Sequence, residues 1–288
     1  MKVHKVILTL LILAGAATAG YLIYFGFEYY FLDLAARPRA ALHDLLKSSG
    51  LYGHGYGILG SAMLLLLFLY SVRKRIRWFP KIGRLSTWLK YHMFLGVMGP
   101  VLITFHTTFK FNGIVAISYW SMVIVMFSGF IGRYLYSKIP RTIAGHEMNL
   151  EDVQARNSEL TQSLETDYDV PAHIIRDVEK IGQVDAENQN DFVTLFKMLF
   201  GDIRRPFILR NLYRELKSVP DVDKSRYIAI KKMTRQKVKI QRKLTALEVT
   251  HRLFHYWHVF HKPFAYVMVF IMFIHITVVL LFGYTWIF

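Results

Sequence analysis

Residues 88–109, WLKYHMFLGVMGPVLITFHTTF, and residues 256–282, YWHVFHKPFAYVMVFIMFIHITVVLLF, decide how this chain is read. Each is an apolar stretch long enough to span a hydrocarbon core about 30 Å thick. Each also carries two histidines fourteen residues apart, His92 with His106 and His261 with His275. Fourteen residues of helix rise about 21 Å and return almost to the starting face. Each helix therefore presents two imidazoles in line, one toward each side of the membrane. Two such helices side by side make two facing histidine pairs, the neutral nitrogen ligands that two stacked b-type haems require.

The rest of the composition agrees with a membrane protein. Of 288 residues, 53% are hydrophobic and 15% aromatic, and the apolar residues come in blocks. The absence of cysteine excludes disulfides, thiolate-bound iron–sulfur clusters and covalent haem attachment through Cys-x-x-Cys-His, so any haem is held non-covalently. The net charge of +16 does not call for nucleic acid, because basic residues collect in loops that remain inside.

Working outward, an apolar run from Val6 to about Phe31 follows Lys2 and Lys5. Its start resembles a signal peptide, but its continuation through Tyr21–Phe25 favours an uncleaved first span. A mixed-charge loop with Arg37-Pro38-Arg39 leads to a second span, about 55–72. The stretch from Arg73 to Lys90 holds seven basic residues and no acid, which assigns it to the cytoplasm. Spans three (88–109), four (114–136) and five (256–282) follow. The fold class expected is all-α, a polytopic bundle of five transmembrane helices over residues 1–138 and 256–288, with a cytoplasmic helical insertion at 139–255. In this topology spans three and five run parallel, so His92 lies level with His261, and His106 with His275. His258 is an alternative to His261, which alone repeats the fourteen-residue interval. The N-terminus and the insertion are cytoplasmic and Phe288 lies outside, the membrane expected being a bacterial inner membrane.

The insertion holds 17 of the 20 acids, crowded before Asp191, with bases crowded after Arg204. Helices are expected near 148–165, 190–217 and from 222 onward, with breaks at Asp169-Val170-Pro171 and Val219-Pro220. An alternating three–four spacing from Ile230 to His261, with Lys237 in one apolar slot, predicts a single helix rising into the membrane. No phosphate loop, dinucleotide motif or dense metal-ligand cluster occurs there. Partner docking or oligomer support is its expected use.

Around the histidines, Gly96 and Gly99 fall within about 40° of His92 on a helical projection. They serve either a flat macrocycle or close helix packing. Arg84, Lys90, Arg133 and Lys262 are candidate partners for inner haem propionates and Lys110 for an outer one, while the simpler use of Arg133 is snorkelling to headgroups. His54 serves a quinone, a third haem or merely the interface.

The run His92-Met-Phe-Leu-Gly96-Val-Met-Gly99 through His106, followed two spans later by a second such pair, resembles ferric-reductase-like transmembrane cytochromes b. NADPH oxidases and their bacterial relatives belong to that group. The pattern is also similar to the di-haem cytochrome b of quinol-oxidising complexes. The resemblance covers the five spans and implies two b haems between helices three and five, with irons about 20 Å apart by helix rise. A sixth span and a C-terminal flavin and nicotinamide domain, both present in the family, are not found in these residues. The expectation is therefore the electron-transfer subunit of a respiratory or reductase complex, in a complex or a homo-oligomer in the membrane lipid, with quinone or a separate redox protein as donor or acceptor. A stand-alone ferric-reductase-type metal reductase and a non-haem scaffold or transporter are the alternatives. Histidines near the two surfaces, with Glu28 the only acid near a span, count against transport.

Overall fold

The computed structural model describes residues 2–75, 85–138, 150–183, 190–217, 223–245 and 247–282. All regular structure among them is helical. In order these helices are α1 (Lys2–Phe31), α2 (His43–Leu46), α3 (Leu51–Leu66), α4 (Phe68–Arg75), α5 (Leu85–His106), α6 (Gly113–Lys138), α7 (Leu150–Gln162), α8 (Ala172–Gly182), α9 (Asp191–Lys217), α10 (Lys224–Thr245) and α11 (Leu247–Leu281).

Four segments are long and apolar enough to cross a membrane: Val3–Phe31, His43–Arg75, Gly113–Lys138 and Val249–Leu281. Only 11% to 22% of their most apolar stretches is buried inside the protein. So much exposed apolar side chain requires a lipid environment. The chain is a membrane protein. Helix α5, expected as the third of five spans, is not one of these four. Lys90, His92 and His106 lower its hydropathy. It is instead an enclosed helix: among the described residues, none of the large apolar side chains of α5 is exposed.

The chain forms two compact units, Met1–Phe130 with Phe260–Phe288, and Ile131–Val259. In the first, α5 packs its backbone closely along α3 and, less extensively, along α1. The fit with α3 comes from small residues. A Cβ on Gly60 would fall 3.1 Å from the Gly99 carbonyl oxygen, and one on Gly99 would fall 3.4 Å from that of Gly60. Only glycine lets the two backbones approach this far. Farther along, Leu64, Met122, Met268 and Met272 from α3, α6 and α11 form an apolar layer with Ile103 of α5. The Ser118 hydroxyl donates to the Met268 carbonyl at 2.8 Å and ties α6 to α11.

The second unit buries Leu164, Ile174, Ile175, Val178, Leu209, Leu212, Ile230 and Val238 in one core. A smaller core joins Leu135 of α6 to Leu195 of α9 and to Val249 and Leu253 of α11. Helix α8 was not foreseen in the sequence. It begins directly after Pro171, which sits at its N-cap, and buries Ile174, Ile175 and Val178 on one side. The break expected at Asp169-Val170-Pro171 is present, with Asp169 at φ 49°, whereas Val219-Pro220 lies outside the described residues. Along the single helix expected from 222 onward the structure describes α10 and α11, and residue 246 lies outside the described residues. Pro263 stands well inside α11. Lys237 occupies its apolar slot with its side chain fully buried, donating to Glu179 Oε1 at 2.8 Å and to Thr161 Oγ1.

Candidate functional site: two histidine levels

The four histidines arise from two helical stripes of alternating four–three spacing. On α5 the stripe is His92, Gly96, Gly99, Ile103 and His106; on α11 it is His261, Ala265, Met268, Met272 and His275. At the C-terminal end of α5 the two stripes meet. The imidazole ring centres of His106 and His275 lie 6.3 Å apart, with their planes inclined at 60°. Two imidazoles on one metal, with metal–nitrogen bonds of about 2 Å, place their ring centres about 6 Å apart. Both ring planes then contain the bond axis, and their mutual inclination is unrestricted. The spacing therefore fits two axial ligands of one ion.

A third stripe, on α3, completes the arrangement. The Gly53 carbonyl accepts a hydrogen bond from His106 Nδ1 at 2.8 Å, and the Leu67 carbonyl accepts one from His92 Nδ1 at 3.1 Å. Gly53 and Leu67 are themselves fourteen residues apart, on a helix antiparallel to α5. Leu67 falls at the break between α3 and α4. Its carbonyl also accepts the Tyr70 amide at 3.3 Å, so the imidazole takes the second lone pair of that oxygen. Between these two carbonyls the α3 stripe reads Gly57, Gly60 and Leu64. A Cβ at Gly57 would lie 2.7 Å from His106 Nδ1.

These bonds decide the chemistry of the rings. A carbonyl only accepts, so Nδ1 of His92 and of His106 must carry the proton, and the lone pair stands on Nε2. His261 reaches the same state by another route. Its Nδ1 is 2.7 Å from the Ser128 hydroxyl, whose proton is donated to the Val125 carbonyl at 2.9 Å. The serine oxygen is then the acceptor, and His261 is also protonated at Nδ1. Three of the four histidines thus have the outer-shell partner that orients a metal-binding imidazole and fixes its tautomer.

His106 is held from a second direction. Thr108 and Phe109 adopt positive φ, 51° and 60°, in the turn that ends α5. Buried Arg37 clamps this turn, donating to the carbonyls of Thr108, Tyr30 and Leu32. His258 is differently placed. Its Nδ1 bonds the Phe254 carbonyl one turn back at 2.8 Å, and its ring lies against Phe254 and Trp257.

The other residues expected near the site are dispersed. Gly99 is buried against Gly60 and Leu64, and the nearest neighbour of a Cβ on Gly96 would be Leu67 Cδ2 at 3.8 Å. Close packing on α3 accounts for Gly99, whereas a Cβ at Gly96 would meet only ordinary van der Waals contact. Lys90, Lys110 and Lys262 are exposed. The Arg133 guanidinium lies over the Tyr136 ring at 5.7 Å, and Arg84 lies outside the described residues. No group of three or more His, Cys, Asp or Glu side chains positioned for a metal ion occurs among the described residues. Sequence reasoning missed Gly53, Gly57, Leu67, Ser128 and Arg37. The glycine stripe of α3 was visible in the sequence; the carbonyl partners and the serine were not.

No family model, no curated protein and no solved structure matches this chain.

Proposed function

We propose that this chain is a transmembrane electron carrier holding two b-type haems non-covalently, one on His106 and His275 and one on His92 and His261. The observation that carries the reading is the outer pair, whose ring centres stand 6.3 Å apart. The carbonyls of Gly53 and Leu67 and the hydroxyl of Ser128 then keep the ligating nitrogens unprotonated and correctly turned. Haem held by His106 with His275, and by His92 with His261, would supply reversible one-electron chemistry.

In this reading α5 is a fifth span, whose polar residues are tolerated because it is enclosed by neighbouring helices. Arg73, Lys74 and Arg75 favour a cytoplasmic end for α4. Donor and acceptor, quinol or a separate redox protein, exchange electrons at the two faces. The apolar layer of Leu64, Met122, Met268 and Met272 keeps water out between the two histidine levels.

The test is a pyridine haemochrome assay with reduced-minus-oxidised spectra on the purified protein and on His92→Ala and His275→Ala. Two b haems per chain, with partial loss in each variant, are expected. A well-folded preparation without haem refutes the proposal.

A further inference from the structure

The geometry points to α9 as an in-plane amphipathic helix that lies on the surface of an anionic lipid bilayer and anchors the Ile131–Val259 unit to it. The inference does not depend on haem. It rests on where α9 is held, what its free face is made of, and the charges that border that face.

Position comes from Asp202, near the middle of α9. Its carboxylate accepts from the Tyr134 hydroxyl at 2.7 Å and from the Lys138 ammonium. Lys138 is the last residue of α6, one of the four helices able to cross a membrane. Leu195 of α9 packs against Leu135 in the same final turns of α6. The centre of α9 is therefore fixed at the level where a membrane-crossing helix ends, which is the headgroup region.

Composition then separates two faces. One is consumed by the protein: Thr194, Leu195, Met198, Leu209 and Leu212 are buried. The opposite face carries Phe196, Phe200, Ile203 and Phe207, all within about 60° of one another on a helical projection. They are 61%, 62%, 66% and 70% exposed. Three phenylalanines and an isoleucine in one uncovered stripe are not a water-facing surface. Bases border the stripe. Lys197, Arg204 and Arg210 are exposed, and Asp202 is the only acid between residues 192 and 214. Aromatic and aliphatic side chains on one face, with lysine and arginine along its edge, are what seats a helix at the boundary of headgroups and acyl chains. The basic rim selects anionic lipid.

The chain has no cysteine, so Phe200→Cys and Phe207→Cys each place a single thiol for an environment-sensitive fluorophore. The full chain is reconstituted at one copy per lipid nanodisc containing phosphatidylglycerol. Lys180→Cys on α8, where the native side chain is 75% exposed, is the water-facing control. Labels at 200 and 207 are expected to emit to the blue of the control. Lipids nitroxide-labelled near the top of the acyl chain should quench them, at a depth of about 5–10 Å. The control should not be quenched. Emission at both positions as wet as at 180 overturns the proposal. A blue shift without lipid quenching, appearing only when two copies share a disc, assigns the face to a second copy and overturns it equally. Replacing phosphatidylglycerol by zwitterionic lipid should weaken the quenching; unchanged quenching would overturn the role given to the basic rim.

Discussion

Gly57→Ala adds one methyl group and removes no ligand, yet it should damage the outer histidine level selectively. The new Cβ would stand 2.7 Å from His106 Nδ1, 2.8 Å from Cε1 and 3.0 Å from Cγ. Ordinary contact between such atoms begins near 3.4 Å, so the ring must retreat by about 0.7 Å. Its bond to the Gly53 carbonyl, now 2.8 Å, is then stretched to the edge of hydrogen-bond range. Overpacking of this kind costs about 1–3 kcal/mol and the weakened hydrogen bond about 1 kcal/mol. Alanine recovers about 1 kcal/mol through better helix propensity. That propensity gain acts on folding and is common to the haem-free and haem-bound states, so the displaced ring alone, at about 2 kcal/mol, sets a roughly 30-fold fall in affinity at the outer level.

The sign of the propensity change makes the experiment clean, because α3 itself is strengthened. Gly60→Ala is the control. It meets Ile103 Cδ1 at 2.8 Å and the Gly99 carbonyl at 3.1 Å, disturbing the same helix pair without reaching a histidine. Haem stoichiometry and a potentiometric titration are the readouts. Gly57→Ala should lose or shift one of two components and leave the other in place. Two unaltered haems in Gly57→Ala, or equal loss of both haems in both variants, would refute the reasoning.

Ser128→Ala removes the acceptor for His261 Nδ1 and should weaken retention of the inner haem by about 10–100-fold, while Ser128→Thr keeps it; equal dissociation rates in the two variants would rule out the tautomer role. Glu179→Gln strands the buried Lys237 charge and should cost about 3 kcal/mol, the low end for a broken buried pair because Glu179 is 37% exposed. Lys237→Met should instead fall within about 1.5 kcal/mol of wild type, or above it. Hydrogen exchange in α8 and α10 distinguishes the two, and equal acceleration in both variants would contradict this account. Burial pushes the Asp202 carboxyl up, but hydrogen bonds from Lys138 and Tyr134 and the nearby Arg242 together hold it below the usual carboxylate range. Its contribution is thus complete above that range and is lost as pH falls through the lowered value. Protection of α9 against proteolysis should decline with acid in wild type and show no such decline in Asp202→Asn.

The long apolar segments were legible because a hydrophobic block of about 20 residues has few alternatives to a helix. The expected spans at 6–31, 55–72, 114–136 and 256–282 each fall within observed helices or overlap them closely. Short amphipathic elements were harder. Helix α8 follows a proline and an unusual Asp169 conformation, and its four buried residues acquire meaning only against α9 and α10. At the site, the histidine spacing could be read because side chains repeat with the helix. Their partners could not, because two of the three are backbone carbonyls, which every residue possesses. What singles out Gly53 and Leu67 is the antiparallel register of α3 on α5, and that register is set by glycines at 57, 60 and 99. Those glycines were visible; which helix each faced was not.

The helix that hydropathy ranks lowest among the expected spans is the one that the candidate site requires. A span facing lipid must be apolar all round, as the stretches in α1, α6 and α11 largely are. A span shielded by neighbours is released from that demand and can carry imidazoles and close-packed glycines. The features that lower α5's hydropathy, His92, His106 and the glycines between them, are the same ones that bond it to α3 and bring it to His275. Low hydropathy in α5 therefore does not argue against membrane placement. In the proposed reading, burial by protein replaces burial by lipid along α5, which is where polar chemistry can be housed inside the bundle.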